Sequence, residues 1–145
     1  MTKIKFSPRH KARELVLKSL YALDCGTADP DKSFKQLSEE SSLTERHMKF
    51  ASQLFAHCKE RVNWADEQIS LLARNWRIER INYIDRNILR MAIIELQFIP
   101  DTPVKVVINE AIELAKTFST QESAAFVNGI LDTFSKSPAA KPASR

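Results

Sequence analysis

Glycine is nearly missing: Gly26 and Gly129 are its only occurrences in 145 residues. Tight turns between strands depend on residues that tolerate positive φ, and runs alternating apolar with polar residues are scarce too, so the chain argues against sheets. Cysteine is limited to Cys25 and Cys58, and the N-terminus MTKIKFSPRHK lacks the apolar stretch of a signal peptide. Reduced thiols and a cytosolic (cytoplasmic) location are the expectation. No window approaches the ~18 uninterrupted apolar residues of a membrane span. A glycine-rich phosphate loop, a nucleophile elbow and paired CxxC motifs are all absent, which excludes the commonest enzymatic inventories, and no cofactor is implied.

What is present is helical punctuation. Ser7 and Pro8 suit a cap and first position, and Ala12, Leu15, Val16, Leu20 and Leu23 recur on one helical face. CGTADPD (25–31) reads as a turn, followed by a short amphipathic piece around Phe34 and Leu37. Ser42 and Glu45 have capping-box spacing before a helix carrying Phe50, Ala51, Leu54 and Cys58; Asn63 and Asp66 start a further helix with Ala65, Ile69, Leu72 and Trp76 inward. Asn82 caps a segment apolar on nearly all sides, hence central, which stops before Pro100. Thr102 with Pro103 opens the next helix, and Ser119 with Glu122 opens the last. The expected fold is therefore all-α, one domain over residues 1–136 with about seven helices, or six if the piece near Phe34 frays, and a tail over 137–145. Gly129, inside a helix, predicts close approach by another helix, and Trp64 and Trp76 are assigned to the core.

Charge is unevenly placed. Residues 1–18 carry Lys3, Lys5, Arg9, Lys11, Arg13 and Lys18 against Glu14, a net of +5 in a chain whose formal total is +4, so the remainder sums to −1. Arg9, His10, Lys11 and Arg13 crowd a helix start, where the backbone already presents about half a positive charge. A polyanion such as RNA relieves that conflict; the plainer alternative is a solvated helix start with Glu14 paired to Lys18. DNA readout by a helix-turn-helix fits less well, since the cations precede a helix instead of studding a recognition helix. Arg9, Arg13, Leu17 and Tyr21 form a stripe at four-residue steps beside the core face; Leu17 and Tyr21 are either second-side core or an exposed apolar patch. Arg9 and Arg13 lie off that face, so removing both side chains should spare the fold. His47, His57 and Cys58 are the nearest approach to metal ligands, but about 16 Å of helix separates the first from the last, so no metal site is expected.

PVKVVINEAIELAKTFSTQESAAFVNGILD (103–132) closely resembles the C-terminal signature of the NusB family of bacterial antitermination factors. PRHKARELVLKSLYALD resembles that family's basic first helix and INYIDRNILRMAIIEL (81–96) its central helix, so the likeness runs from Pro8 to about Ser135. It implies two small helical bundles and a non-enzymatic role: binding boxA-type single-stranded RNA in ribosomal RNA leaders jointly with NusE, a small-subunit ribosomal protein, within the RNA polymerase antitermination complex. It assigns RNA binding to Arg9, His10, Lys11, Arg13, Glu122 and Phe126, and a NusE-facing surface to Tyr21, Glu79 and Asp85. Family members occur as monomers or homodimers. The sequence departs from the family pattern at Ala124 and Ala125, where some members have a basic residue, at His10, where arginine is common, and at Ser119, where glycine is usual. Two alternatives remain: a protein-interaction scaffold, and a stand-alone domain related to those of ribosomal RNA cytosine methyltransferases.

Overall fold

The computed structural model describes residues 9–26, 29–74 and 77–137, and all regular structure among them is helical. Lys3, Lys5, the Ser7 cap with Pro8, Trp76 and the tail from Pro138 lie outside the described residues, as do the side chains of Leu23 and Cys25. Six helices follow in order: α1 (His10–Cys25), α2 (Pro30–Glu40), α3 (Glu45–Leu72), α4 (Tyr83–Phe98), α5 (Val104–Phe118) and α6 (Gln121–Ser135), with a 3₁₀ turn at Ile78–Arg80 before α4. None of the helices described is long and apolar enough to cross a membrane.

The count is six because Asn63 does not open a new helix. α3 runs through, and its only departure from helical dihedrals is Arg61 (φ −117°, ψ 20°), a kink two residues before the expected boundary. α2 persists as a full helix: Asp29 caps it by accepting from the Asp31 amide, Pro30 sits in the first turn, and Phe34 stacks on Phe55 of α3 with centroids 4.6 Å apart.

Three predicted helix starts shift. Thr44, not Ser42, caps α3, because residues 41–44 form a non-helical link from α2, with Ser41 and Thr44 both extended. Pro103 occupies the cap position of α5 with no side-chain cap, and Thr102 turns inward, 6% exposed. Thr120, one residue after Ser119, caps α6 by accepting from the Ser123 amide at 3.0 Å. Asn82 caps α4 as expected, accepting from the Asp85 amide at 2.8 Å.

α4 is the hub. It buries Asp85 and every residue from Asn87 to Leu96, and it packs on α1, α3, α5 and α6. The two bundles, α1–α3 and α4–α6, thus share one continuous apolar core. Ile88, Leu89, Ile93 and Leu96 are each at most 1% exposed, and burying a side chain of that size contributes about 1.5–3 kcal/mol. Trp64 contributes as expected, edge-on to Phe98 and Phe134. Polar ties fix the register: Arg90 donates from Nε and Nη2 to Asp66 of α3 at 2.6 and 2.8 Å, and from Nη1 to Asp24 of α1 at 2.8 Å. Burial alone would lower the Arg90 pKa, but its hydrogen bonds to Asp66 and Asp24 outweigh that and hold it above the usual value. Gly129 departs from expectation: it is exposed on α6, and an added Cβ would meet nothing within 4 Å, so no helix approaches it.

Candidate nucleic-acid interface

The basic start of α1 resolves into two buried and two accessible side chains. Arg13 is 2% exposed; its Nε and Nη2 donate to the two carboxylate oxygens of Glu95 on α4 at 2.8 and 2.6 Å. His10 is 4% exposed, with its ring nitrogens 2.5 Å from Glu110 of α5 and 3.1 Å from Glu14. Three carboxylates therefore offset much of the charge that seemed to demand an external anion. This corrects two expectations. Arg13 and His10 face the core and are engaged within the protein, so neither presents a free contact to RNA, and Arg13 cannot be removed without touching the fold. The physical reason is that α1 packs on α2, α3 and α4 while touching α5 through His10, so its buried arc is wider than its apolar stripe. Glu14, expected opposite Lys18, faces His10, and Lys18 lies 5.8 Å over the Phe118 ring.

Lys11 is exposed, and Arg9 is half-buried with its guanidinium 4.4 Å from the Phe50 ring centroid. Arg9 borders a cleft of about 340 Å³ that also draws Arg46 and His47 from the start of α3 and Asp101 and Val106 from around the start of α5, with the Glu95-bound Arg13 reaching its wall. Arg46 was not legible as a site residue, and His47 was weighed only as a metal ligand, because only the fold brings the start of α3 beside that of α1.

Glu122 and Phe126 lie elsewhere. α1 runs antiparallel to α4, since Arg13 meets Glu95 near one end and Asp24 meets Asn87 and Arg90 towards the other. Twelve residues of helix, about 18 Å, separate Arg9 from Tyr21. Glu122 and Phe126, at the start of α6, share the Tyr21 end: they line a cavity of about 380 Å³ with Arg80, Asn82, Asp85, Thr120 and Ser123. The six RNA candidates thus form two groups rather than one cluster.

Asp85, expected to face a partner, is 5% exposed. Its Oδ2 accepts from Ser123 Oγ at 2.6 Å and from Asn82 Nδ2 at 3.0 Å, pinning the start of α6 to that of α4 with a negative charge where both helix dipoles favour one. The expectation of a surface contact is corrected: Asp85 is a joint beneath the surface. The stripe of α1 divides, with Leu17 buried at 3% and Tyr21 exposed at 42%. Tyr21 meets Tyr83 edge-on, centroids 6.4 Å apart, and the Arg86 guanidinium sits 5.1 Å from the Tyr83 ring. Two exposed aromatics with a cation make an amphipathic surface suited to a protein partner. Glu79 is exposed on the 3₁₀ turn nearby.

Among the described residues no three His, Cys, Asp or Glu side chains are grouped to hold a metal. Burial, and after it the Glu95 charge, push the Cys58 thiol far up, so it is a protonated core residue and no nucleophile. The chemistry on offer is cations for phosphates at Arg9, Lys11 and Arg46, and an aromatic face at Phe126 on which a base can stack.

The family model described as the NusB family matches residues 10–136. A "Transcription antitermination protein NusB" from Dehalococcoides mccartyi (strain CBDB1) is 43% identical over 128 residues, covering 88% of this chain and 90% of that protein. The crystal structure of T. maritima NusB superposes with a TM-score of 0.84 at 34% identity, covering 93% of this chain and 95% of that one. A chain from a crystal structure of antitermination factors NusB and NusE in complex with double-stranded RNA superposes at 0.80 with 26% identity, covering 89% and 96%.

Proposed function

The chain belongs to the NusB family of transcription antitermination factors, which are not enzymes, and from that premise we propose that it binds the boxA element of ribosomal RNA leader transcripts together with NusE. Single-stranded RNA lies with phosphates against Arg9, Lys11 and Arg46 at one end, passes Lys18, and places a base on Phe126 beside Glu122 at the other. NusE docks on Tyr21 and Tyr83, with Glu79 at its edge, so both ligands meet near the starts of α4 and α6. His10, Arg13 and Asp85 hold these surfaces in place from beneath. Joint binding restricts RNA and NusE to one geometry, which is delivered to RNA polymerase in the cytoplasm to support processive ribosomal RNA synthesis.

The observation that carries this reading is the division of the cations. Arg13 and Arg90 are buried and paired with carboxylates, whereas Arg9, Lys11 and Arg46 form no ion pair among the described residues and border accessible surface. The test is anisotropy of a labelled boxA-like RNA titrated with the protein, with and without NusE, at low and physiological salt. Binding that NusE strengthens and a scrambled RNA does not reproduce is expected, with Arg9→Ala or Lys11→Ala each reducing the salt slope by about 0.7. No RNA binding in either condition, with NusE still captured, leaves a protein scaffold instead.

A further inference from the structure

Unpaired arginines recur at a second place, far along the chain from the basic first helix. Arg74, Arg77 and Arg80 are all exposed, none forms an ion pair among the described residues, and they line one cleft of about 680 Å³ with Ser70, Ile78 and Glu79. Local structure sets them side by side. Arg74 follows Ala73, the C-cap of α3, while Arg77 caps the 3₁₀ turn and Arg80 is its last residue, the Arg80 amide donating to the Arg77 carbonyl at 2.9 Å. Arg77 has extended dihedrals, Arg80 closes the turn, and both side chains line the same cleft.

A helix C-terminus welcomes one cation, which accounts for Arg74 near the end of α3 but leaves Arg77 and Arg80 unexplained. Arg80 also lines the neighbouring cavity that holds Phe126 and Asn82, so the two clefts are continuous through a single side chain. An aromatic platform leading into a row of guanidinium groups matches the repeat of a polynucleotide, base then phosphate; Asp85 and Glu122 stand in the Phe126 cavity, and among the described residues Glu79 is the one carboxylate lining the arginine cleft.

We propose that the Arg74–Arg77–Arg80 cleft is a second phosphodiester-binding site that continues the RNA path beyond Phe126, which rests on the RNA reading above. RNA longer than the core element is therefore held by backbone contacts that carry no sequence information.

The test compares a short boxA-like RNA with versions extended by about five nucleotides at the 5′ or the 3′ end, titrated with the full chain and NusE over a range of salt. One extension should steepen the salt slope by about 1.4 for two added contacts, so a fourfold rise in salt weakens the extended RNA about sevenfold more than the short one. Arg74→Ala with Arg77→Ala should abolish that difference while leaving short-RNA binding and the circular dichroism spectrum unchanged; Arg74→Lys with Arg77→Lys should retain it. An unchanged slope in the alanine variant overturns the proposal, as does a loss confined to NusE capture, which makes the cleft a protein contact. If the short RNA binds and neither extension adds anything, this site alone fails. If the short RNA does not bind either, the RNA reading fails with it.

Discussion

Replacing Arg13 with alanine should unfold the protein more readily, whatever it does to RNA. The guanidinium and the Glu95 carboxylate are 2% and 1% exposed and joined by two hydrogen bonds, so Arg13→Ala leaves an ionised carboxylate in the core without its partner. Breaking a pair of this kind costs about 3–5 kcal/mol, against a total stability of about 5–15 kcal/mol for an ordinary domain. At this chain length about 4 kcal/mol corresponds to a fall in Tm of roughly 8–16 °C. Urea unfolding followed by helical circular dichroism reads the change directly, with an unaltered m-value showing that the midpoint shift is stability. Arg13→Met combined with Glu95→Leu should recover most of the loss, because replacing both charges by apolar groups removes the penalty of burying either. A loss below about 1 kcal/mol in Arg13→Ala, or a paired substitution as damaging as the single one, would refute the buried-pair account and return Arg13 to the RNA surface. RNA titration of the paired variant, if it is stable, then separates holding the helix from touching the ligand.

Gly129→Ala should stabilise the protein by up to ~1 kcal/mol, since the position is helical and open, and thermal melting checks it; destabilisation would reveal a neighbour the structure does not show. Burial, and after it the Arg61 charge, lower the His57 pKa from 6.5, and Arg61 Nη1 donates to its Nδ1 at 3.0 Å, which protonation forbids. The unfolded chain therefore takes up the proton first, so this group's contribution is intact above about pH 6.5 and is lost as pH falls towards its lower folded value; His57→Gln should show a shallower decline in Tm below that pH. Tyr21→Ala should weaken NusE capture by about 1 kcal/mol or more, read by titration calorimetry, with the fold unchanged; equal affinity would remove Tyr21 from the partner surface.

The helices and most of their limits follow from local rules readable along the chain. Asn82 and Pro100 bracket α4 because a cap and a ring without an N–H act within a few residues, and the near-continuous apolarity of α4 announces a helix surrounded on all sides. Where neighbouring residues offer competing hydroxyls, as at Ser42 and Thr44 or Ser119 and Thr120, the choice depends on where the preceding segment leaves the chain. The kink at Arg61, where two helices were expected, reflects a long helix following the core instead of stopping. The kinship with NusB proteins was legible because its signature is a contiguous run.

The state of each charge was decided by partners distant in sequence. Arg13 and Glu95 are 82 residues apart, His10 and Glu110 are 100, and Asp85 and Ser123 are 38. Periodicity assigns a basic residue to the solvent because burying a lone charge is prohibitive, and it has no means of seeing a carboxylate brought in by another helix. For the same reason it passed over Arg74, Arg77 and Arg80, whose common cleft exists only once α3 ends against the turn into α4. The sequence by itself determined that the protein is helical, that its first helix begins basic, and which family it joins. Tertiary structure decided which cations are spent inside the protein and which are left facing a ligand, because electrostatic pairing depends on distance in space and not on position along the chain.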